Sequence, residues 1–256
     1  LADPTTLIAI PVYNERKHLA DVLRRVRQFH DQVLVVDDGS SDGTADLLID
    51  LARDPGVHVL RHPKNRGYGS SLIDAFDWAG DRGYEWVVTM DCDDQHEPER
   101  LPAFFAEIAR DDADLISGSR YMQTDDAVGE PPKDRRRINV AVTTLLNALF
   151  DWNLTDSFCG FKAHRVGPTR RLQLDETGYA FPLQLWPRVY QAGLRVRELP
   201  VRLIYNDPNR SFGAQLDDAR RRLTHYLSVL NRELQEPVVL TPALRRQAEA
   251  VLCGCS

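Results

Sequence analysis

The sequence predicts an α/β protein built on a mostly parallel sheet flanked by helices. Three observations point there. Short apolar runs recur between residues 7 and 118, each the length of a buried strand. Stretches of about ten to fifteen residues with helical apolar spacing separate them. Two of the runs end abruptly in acidic clusters. Strands alternating with helices of that length imply βαβ units, and ligands of such sheets bind at the carboxyl ends of the strands.

The elements follow in order. Residues 7–12 (LIAIPV) read as a buried strand. Residues 15–29 read as a helix with Leu19, Val22, Leu23 and Val26 on one face. Residues 33–36 (VLVV) form the second strand, closed by Asp37-Asp38-Gly39-Ser40. Asp42 can cap a helix running through Leu47, Leu48 and Leu51. Residues 57–60 are a third strand and Ser70–Gly80 a third helix. Residues 84–90 (YEWVVTM) are a fourth strand, ended by Asp91-Cys92-Asp93. A helix from Glu99 to Ala109 and a strand at 114–118 complete the pattern.

The second half is less regular. Residues 121–137 are polar, contain Pro131-Pro132 and read as a flexible loop. Residues 138–150 read as a buried helix, and 194–204 alternate like a strand or hairpin. Residues 214–230 place Leu216, Ala219, Leu223, Tyr226, Leu227 and Leu230 on one face, with Arg220, Arg221 and Arg222 nearby.

Composition sets bounds. At 256 residues and 43% hydrophobic, the chain can bury one large core or two small ones. No apolar run approaches the length of a membrane span, and the N-terminus lacks a signal-peptide pattern. Cys92, Cys159, Cys253 and Cys255 lack zinc-knuckle spacing, so a reduced, cytoplasmic protein is expected. The net charge of −6 hides an asymmetry. Residues 1–128 carry 13 basic and 25 acidic side chains; the remainder carry 19 and 13. An acidic first half argues against nucleic-acid binding. A basic second half suits an anion.

Three motifs lie at strand ends. In Asp91-Cys92-Asp93, two carboxylates one residue apart can hold a divalent cation, with Gln95 adding a carbonyl oxygen. Mg²⁺ and Mn²⁺ prefer such hard ligands and share them with phosphates. In Pro11-Val12-Tyr13-Asn14-Glu15, the proline fixes a turn, the tyrosine can stack on a base and the glutamate can accept from a base N–H. The plainer reading is a strand exit with Glu15 at a helix N-terminus. Asp37-Asp38-Gly39-Ser40 can hold a nucleoside by base and sugar, or simply form a capped turn. Gly67-Tyr68-Gly69-Ser70 resembles a phosphate-binding turn. His96 is a metal-ligand candidate or a loop histidine. Cys92 and Cys159 read as small apolar residues.

The order of these motifs resembles the family-2 glycosyltransferases, with Asn65-Arg66-Gly67 between the paired acid and the DxD. Gly118-Ser119-Arg120-Tyr121, Asp156-Ser157-Phe158-Cys159-Gly160-Phe161-Lys162 and residues 193–201 (GLRVRELPV) are similar to later segments of that family. The branch most alike is the polyprenyl-phosphate (dolichyl-phosphate) mannosyl- and glucosyltransferases. The resemblance implies a Rossmann-like GT-A domain over 1–212. Its nucleotide-sugar half would be 1–120 and its acceptor half 121–212, followed by an amphipathic helical extension at 213–256. Pro11, Tyr13, Glu15, Asp37 and Asp38 would hold the nucleoside. Asp91, Asp93 and Gln95 would serve Mg²⁺ or Mn²⁺ and the donor diphosphate. Arg120 and Arg210 would meet phosphate. The DxD departs from the usual pattern in carrying Asp94 where an apolar residue is common.

The expected reaction is metal-dependent, inverting transfer of a hexose from a donor of GDP-mannose or UDP-glucose type to a polyprenyl phosphate. The alternatives are a soluble glycosyltransferase acting on a small-molecule or glycan hydroxyl, for which Asp156 is the candidate base, and a nucleotide-binding module without catalysis. A nucleotidyltransferase would want a glycine-rich basic loop in place of Pro11–Glu15. Many relatives continue into membrane helices, whereas this chain continues into amphipathic segments. The expected location is therefore cytoplasmic, with peripheral contact at the cytoplasmic membrane face.

Overall fold

A computed structural model describes residues 5–93, 95–122, 127–205 and 216–234. Its centre is a seven-stranded sheet of order β3-β2-β1-β4-β6-β5-β7. The strands are β1 (Thr6–Val12), β2 (Val33–Asp37), β3 (Val57–Arg61), β4 (Trp86–Thr89), β5 (Leu115–Ser119), β6 (Lys162–Arg165) and β7 (Val196–Pro200). All neighbouring pairs are parallel except those of β6, which runs antiparallel between β4 and β5.

Alternation along β1 explains the layering. Leu7 and Ala9 point to one face of the sheet, Ile8 and Ile10 to the other, and all four are fully buried. Strands covered on both faces are apolar throughout, which is why their period of two is invisible in the sequence. On one face lie α1 (Leu19–Val26), α2 (Thr44–Leu51) and α4 (Leu101–Ile108), the last entered through a 3-10 turn at Pro98–Arg100. The other face carries α3 (Tyr68–Asp81), α5 (Lys133–Phe150) and α7 (Phe181–Gln191), with α6 (Val166–Arg170) between β6 and α7. Helix α8 (Ala219–Leu234) adds Leu223, Tyr226, Val229 and Leu230 to this same core.

One expectation changes. Residues 133–137 are not loop but the first turns of α5, which starts directly after Pro132. Of the strand and hairpin readings of 194–204 the strand holds: β7 covers Val196–Pro200 and pairs with β5, and Ile204 bridges Val128 beyond it. Strand β6 escaped notice because its four residues, Lys-Ala-His-Arg, read as polar, yet Lys162, Ala163 and His164 are buried. The amphipathic pattern at 214–230 falls on α8, and Asp42 accepts the Thr44 N–H at the start of α2. Among the described residues, no helix is long and apolar enough to cross a membrane.

Candidate active site

A cleft of about 680 Å³ opens at the carboxyl ends of β1, β2, β4 and β5. Its first wall is the exit of β1. Asn14 takes a left-handed backbone conformation (φ 58°), and its side chain and amide stitch this turn to the β2 exit. Its N–H donates to Ser40 Oγ at 2.9 Å, and its Oδ1 accepts from Ser41 N at 2.8 Å. Pro11, Tyr13 and Glu15 thereby face the cleft, with Tyr13 48% exposed.

The paired acid splits. Asp38 lines the cleft and accepts the Arg66 and Gly67 N–H groups at 2.7 and 2.8 Å. Buried His62 lies between it and Asp74, 2.7 and 2.8 Å from a carboxylate oxygen of each. Asp37 is the last residue of β2, fully buried, and does not line the cleft. It accepts from Ser40 N at 2.9 Å and stands 3.3 Å from Arg61 Nε. The expected contact of Asp37 with a nucleoside is therefore corrected to a turn-forming role, because adjacent residues leaving a strand point to opposite sides.

Asp91, Asp93 and Gln95 all line the cleft beyond β4. His96 shapes their turn: its Nδ1 accepts the Asp91 N–H at 2.8 Å, and its ring stacks on Phe161. That favours the loop-histidine reading over the ligand reading. Tyr68 Oη donates to Asp91 Oδ1 at 3.0 Å, and Gln95 N donates to Asp93 Oδ1 at 3.1 Å. Among the described residues, no three His, Cys, Asp or Glu side chains form a ready-made cage. Two carboxylates and an amide still fit a cation that shares its shell with phosphate and water. The amide of Gln95 is buried in the cleft with its Nε2 unpartnered. Asp94 lies outside the described residues.

Arg120 stands at the exit of β5, where Nε and Nη2 grip Asp156 at 2.6 and 3.0 Å. Asp156 is fully buried and also accepts from Asn139 Nδ2 (2.8 Å) and Phe158 N (3.1 Å). Burial alone would raise its pKa, but Arg120 and Asn139 outweigh burial and hold it down to about 2. A general base must reach the cleft and bind a proton near neutral pH. Asp156 does neither, and does not line the cleft. Its expected role as base is corrected to that of anchoring Arg120. Glu198 holds the Thr155 and Asp156 N–H groups at 2.8 and 3.0 Å.

The far end of the cleft draws on the basic run 135–137, which the sequence offers either as positive charge for a phosphate acceptor or as a solvated helix start, and on rings from several segments. Tyr121, Phe158, Tyr179, Tyr205 and Tyr226 line it, with Arg135 and Arg222 among them. Arg136 packs 3.5 Å over the Tyr121 ring and Arg135 5.8 Å from the Tyr205 ring. Arg222 is buried and pairs with Asp134 at 2.5 Å, while its neighbours Arg220 and Arg221 are exposed. Arg210 lies outside the described residues. The glycines of the Gly67-Tyr68-Gly69-Ser70 turn have a packing reason that is independent of phosphate. A Cβ on Gly67 or Gly69 would come within 2.3 or 2.1 Å of the Thr177 or Glu176 carbonyl oxygen, and Ser70 N donates to Thr177 O. Its glycines admit protein backbone. Cys159 is buried, which pushes its thiol up to about 11 and rules out a thiolate nucleophile at neutral pH.

Comparisons with known proteins agree with this architecture. The model of Glycosyl transferase family 2 matches residues 7–172. An undecaprenyl-phosphate mannosyltransferase of Micrococcus luteus is 36% identical, over 80% of this chain and 86% of its own. A polyprenol monophosphomannose synthase of Mycolicibacterium smegmatis is also 36% identical, over 77% and 76%. The fold is shared with glucosyl-3-phosphoglycerate synthase of Mycobacterium tuberculosis, solved with Mn²⁺, UDP and glucosyl-3-phosphoglycerate. That match has a TM-score of 0.68 at 18% identity, covering 92% of this chain and 81% of that one. With a strand-end acidic cleft on a GT-A sheet and a family match across most of its length, the chain belongs to glycosyltransferase family 2 and is a glycosyltransferase.

Proposed function

We propose that the chain transfers a hexose, with inversion, from a nucleotide-diphosphate sugar to a polyprenyl phosphate. The observation that carries this reading is the chemistry of the cleft beyond the DxD. Among the described residues it is lined there by Arg120, Arg135, Arg222 and aromatic rings, and by no carboxylate. A hydroxyl acceptor has a high pKa and needs a base. A phosphate monoester is already anionic near neutral pH and needs positive charge instead. The two relatives above carry polyprenyl-phosphate mannosyl transfer in their names, which agrees.

The division of labour follows. Tyr13 offers a face to the base, and Glu15 and Asp38 offer oxygens to the nucleoside. Asp91, Asp93 and Gln95 would hold Mg²⁺ or Mn²⁺, which supplies Lewis-acid neutralisation of the leaving diphosphate. Arg120, kept charged and oriented by Asp156, faces the phosphates from the other side. An acceptor phosphate oxygen bonds to the anomeric carbon as the bond to the donor diphosphate breaks, and no proton changes hands.

The test is turnover of GDP-mannose and UDP-glucose with Mn²⁺ against two acceptor sets, a short polyprenyl phosphate and the matching polyprenol or simple sugars. Product with the phosphate alone is the expected result. Equal product with hydroxyl acceptors overturns the reading.

A further inference from the structure

Tyr68 lines the cleft but has no part in the chemistry above. Its position is unusually determined. The N-terminus of α3 sits so close to the 176–178 backbone that two of its residues must be glycine. Ser70 N–H then closes onto Thr177 O at 3.2 Å. The Tyr68 ring stacks on Tyr179, 5.7 Å between centroids and 16° from parallel. With backbone and ring fixed, the hydroxyl has one place to go, and it donates to Asp91 Oδ1 at 3.0 Å.

The opposite side is equally tight. A Cβ on Gly160 would lie 2.8 Å from Asp91 Oδ2 and 2.8 Å from Tyr68 Oη. Gly160 is itself tethered, its carbonyl accepting from Thr89 Oγ1 at 2.7 Å. Two segments remote in sequence, at Tyr68 and at Gly160, thus close on the Asp91 carboxylate.

We infer that Tyr68 is a positioning residue for the donor site: its hydroxyl, opposed by the bare backbone of Gly160, fixes the Asp91 carboxylate in the orientation that receives the donor diphosphate and its cation. The inference rests on the donor-site reading above. A hydrogen bond to a charged group sets the expected size of the effect. Its loss should weaken cation-dependent nucleotide binding about tenfold to a hundredfold.

The experiment is calorimetric titration of GDP and UDP into the full chain, with and without Mn²⁺, for wild type, Tyr68→Phe, Gly160→Ala, Asp91→Asn and Tyr68→Phe/Asp91→Asn. Tyr68→Phe keeps the ring and its stacking, so the unliganded melting temperature should stay near wild type. Its nucleotide affinity in Mn²⁺ should fall by the factor above, with little change when Mn²⁺ is absent. Gly160→Ala should reproduce the pattern from the other side. In the Asp91→Asn background, Tyr68→Phe should add nothing, the mark of two groups acting as one. Wild-type affinity in Tyr68→Phe, an equal loss with and without Mn²⁺, or additive losses in the double variant would each overturn the inference and leave the donor-site reading standing. A wild-type chain that binds neither nucleotide with Mn²⁺ overturns that reading and the inference with it.

Discussion

The two ends of the cleft are built by different means. At the proposed donor end, Pro11 lies near the end of β1, and Glu15, Asp38, Asp91 and Asp93 follow parallel strands within a few residues. Parallel strands share a direction, so their carboxyl ends collect on one edge of the sheet whatever the helices do. At the proposed acceptor end, Tyr121, Arg135, Phe158, Tyr179 and Tyr226 come from a strand exit, two loops and two helices. Topology alone does not bring those together; packing of α5, α7 and α8 does. A sheet can thus keep its donor chemistry in place while the acceptor end is rebuilt by changes in helices and loops.

Charge tells the same story differently. The acidic first half and basic second half suggest a nucleotide-and-metal side facing an anion side. Much of the asymmetry is instead spent between the halves. Arg165, Arg170, Arg195 and Arg197 pair with Asp111, Asp77, Asp114 and Asp112 across the seam. Only a few charges of each sign reach the cleft. Such exposed pairs stabilise little individually, so their service is to let the two halves approach.

The contrast can be broken from the donor side with the largest effect. Asp93→Ala should lower turnover about a thousandfold, because several kcal/mol of charge stabilisation is removed from the leaving group. Its melting temperature should remain near wild type; retained turnover would remove Asp93 from the site. Next in size is the seam between the ends. Asp156→Ala leaves Arg120 charged and uncompensated in a buried position and should cost about 3–5 kcal/mol in chemical denaturation. Arg120→Met/Asp156→Leu should restore much of that stability without restoring turnover, which separates structural from chemical loss.

Acid should act through the same pair and through His164. Asp156 has a lowered folded pKa of about 2, so its stabilisation is present above the ordinary carboxylate range and is lost as pH falls towards 2. His164 is buried beside Phe76 and Lys162, and burial lowers its pKa to about 3. The unfolded chain binds that proton at about 6.5, so stability is full above that pH and falls between it and 3. His164→Leu should flatten this part of the melting-temperature profile. An unchanged slope between pH 6 and 4 would show that other groups govern it.

The smallest effects should sharpen the comparison most. Arg135→Gln should raise KM for the polyprenyl phosphate about tenfold and leave the donor KM unchanged, as expected for loss of one charge-assisted contact. Tyr13→Ala should do the reverse. If both variants move both constants equally, the two ends are not separate subsites.

The legible part of this protein was local. Helix faces such as Leu19, Val22, Leu23 and Val26, and strand ends marked by Asp38 or Asp91, are written in neighbouring residues, and their periods follow from backbone geometry alone. So most of the sheet and its acidic edge could be read before any coordinates, though not the short polar strand β6. What could not be read were contacts between segments far apart in the chain. Asp37 and Asp38 look equivalent until the strand turns one inward. Asp156 looks like a base until Arg120, 36 residues away, closes on it. Gly67 and Gly69 look like a phosphate turn, and only the fold shows that the 176–178 backbone packs against them. Each depends on which groups packing brings within about 3 Å, and hydrogen bonding at that range decides whether a carboxylate serves as ligand, base or anchor.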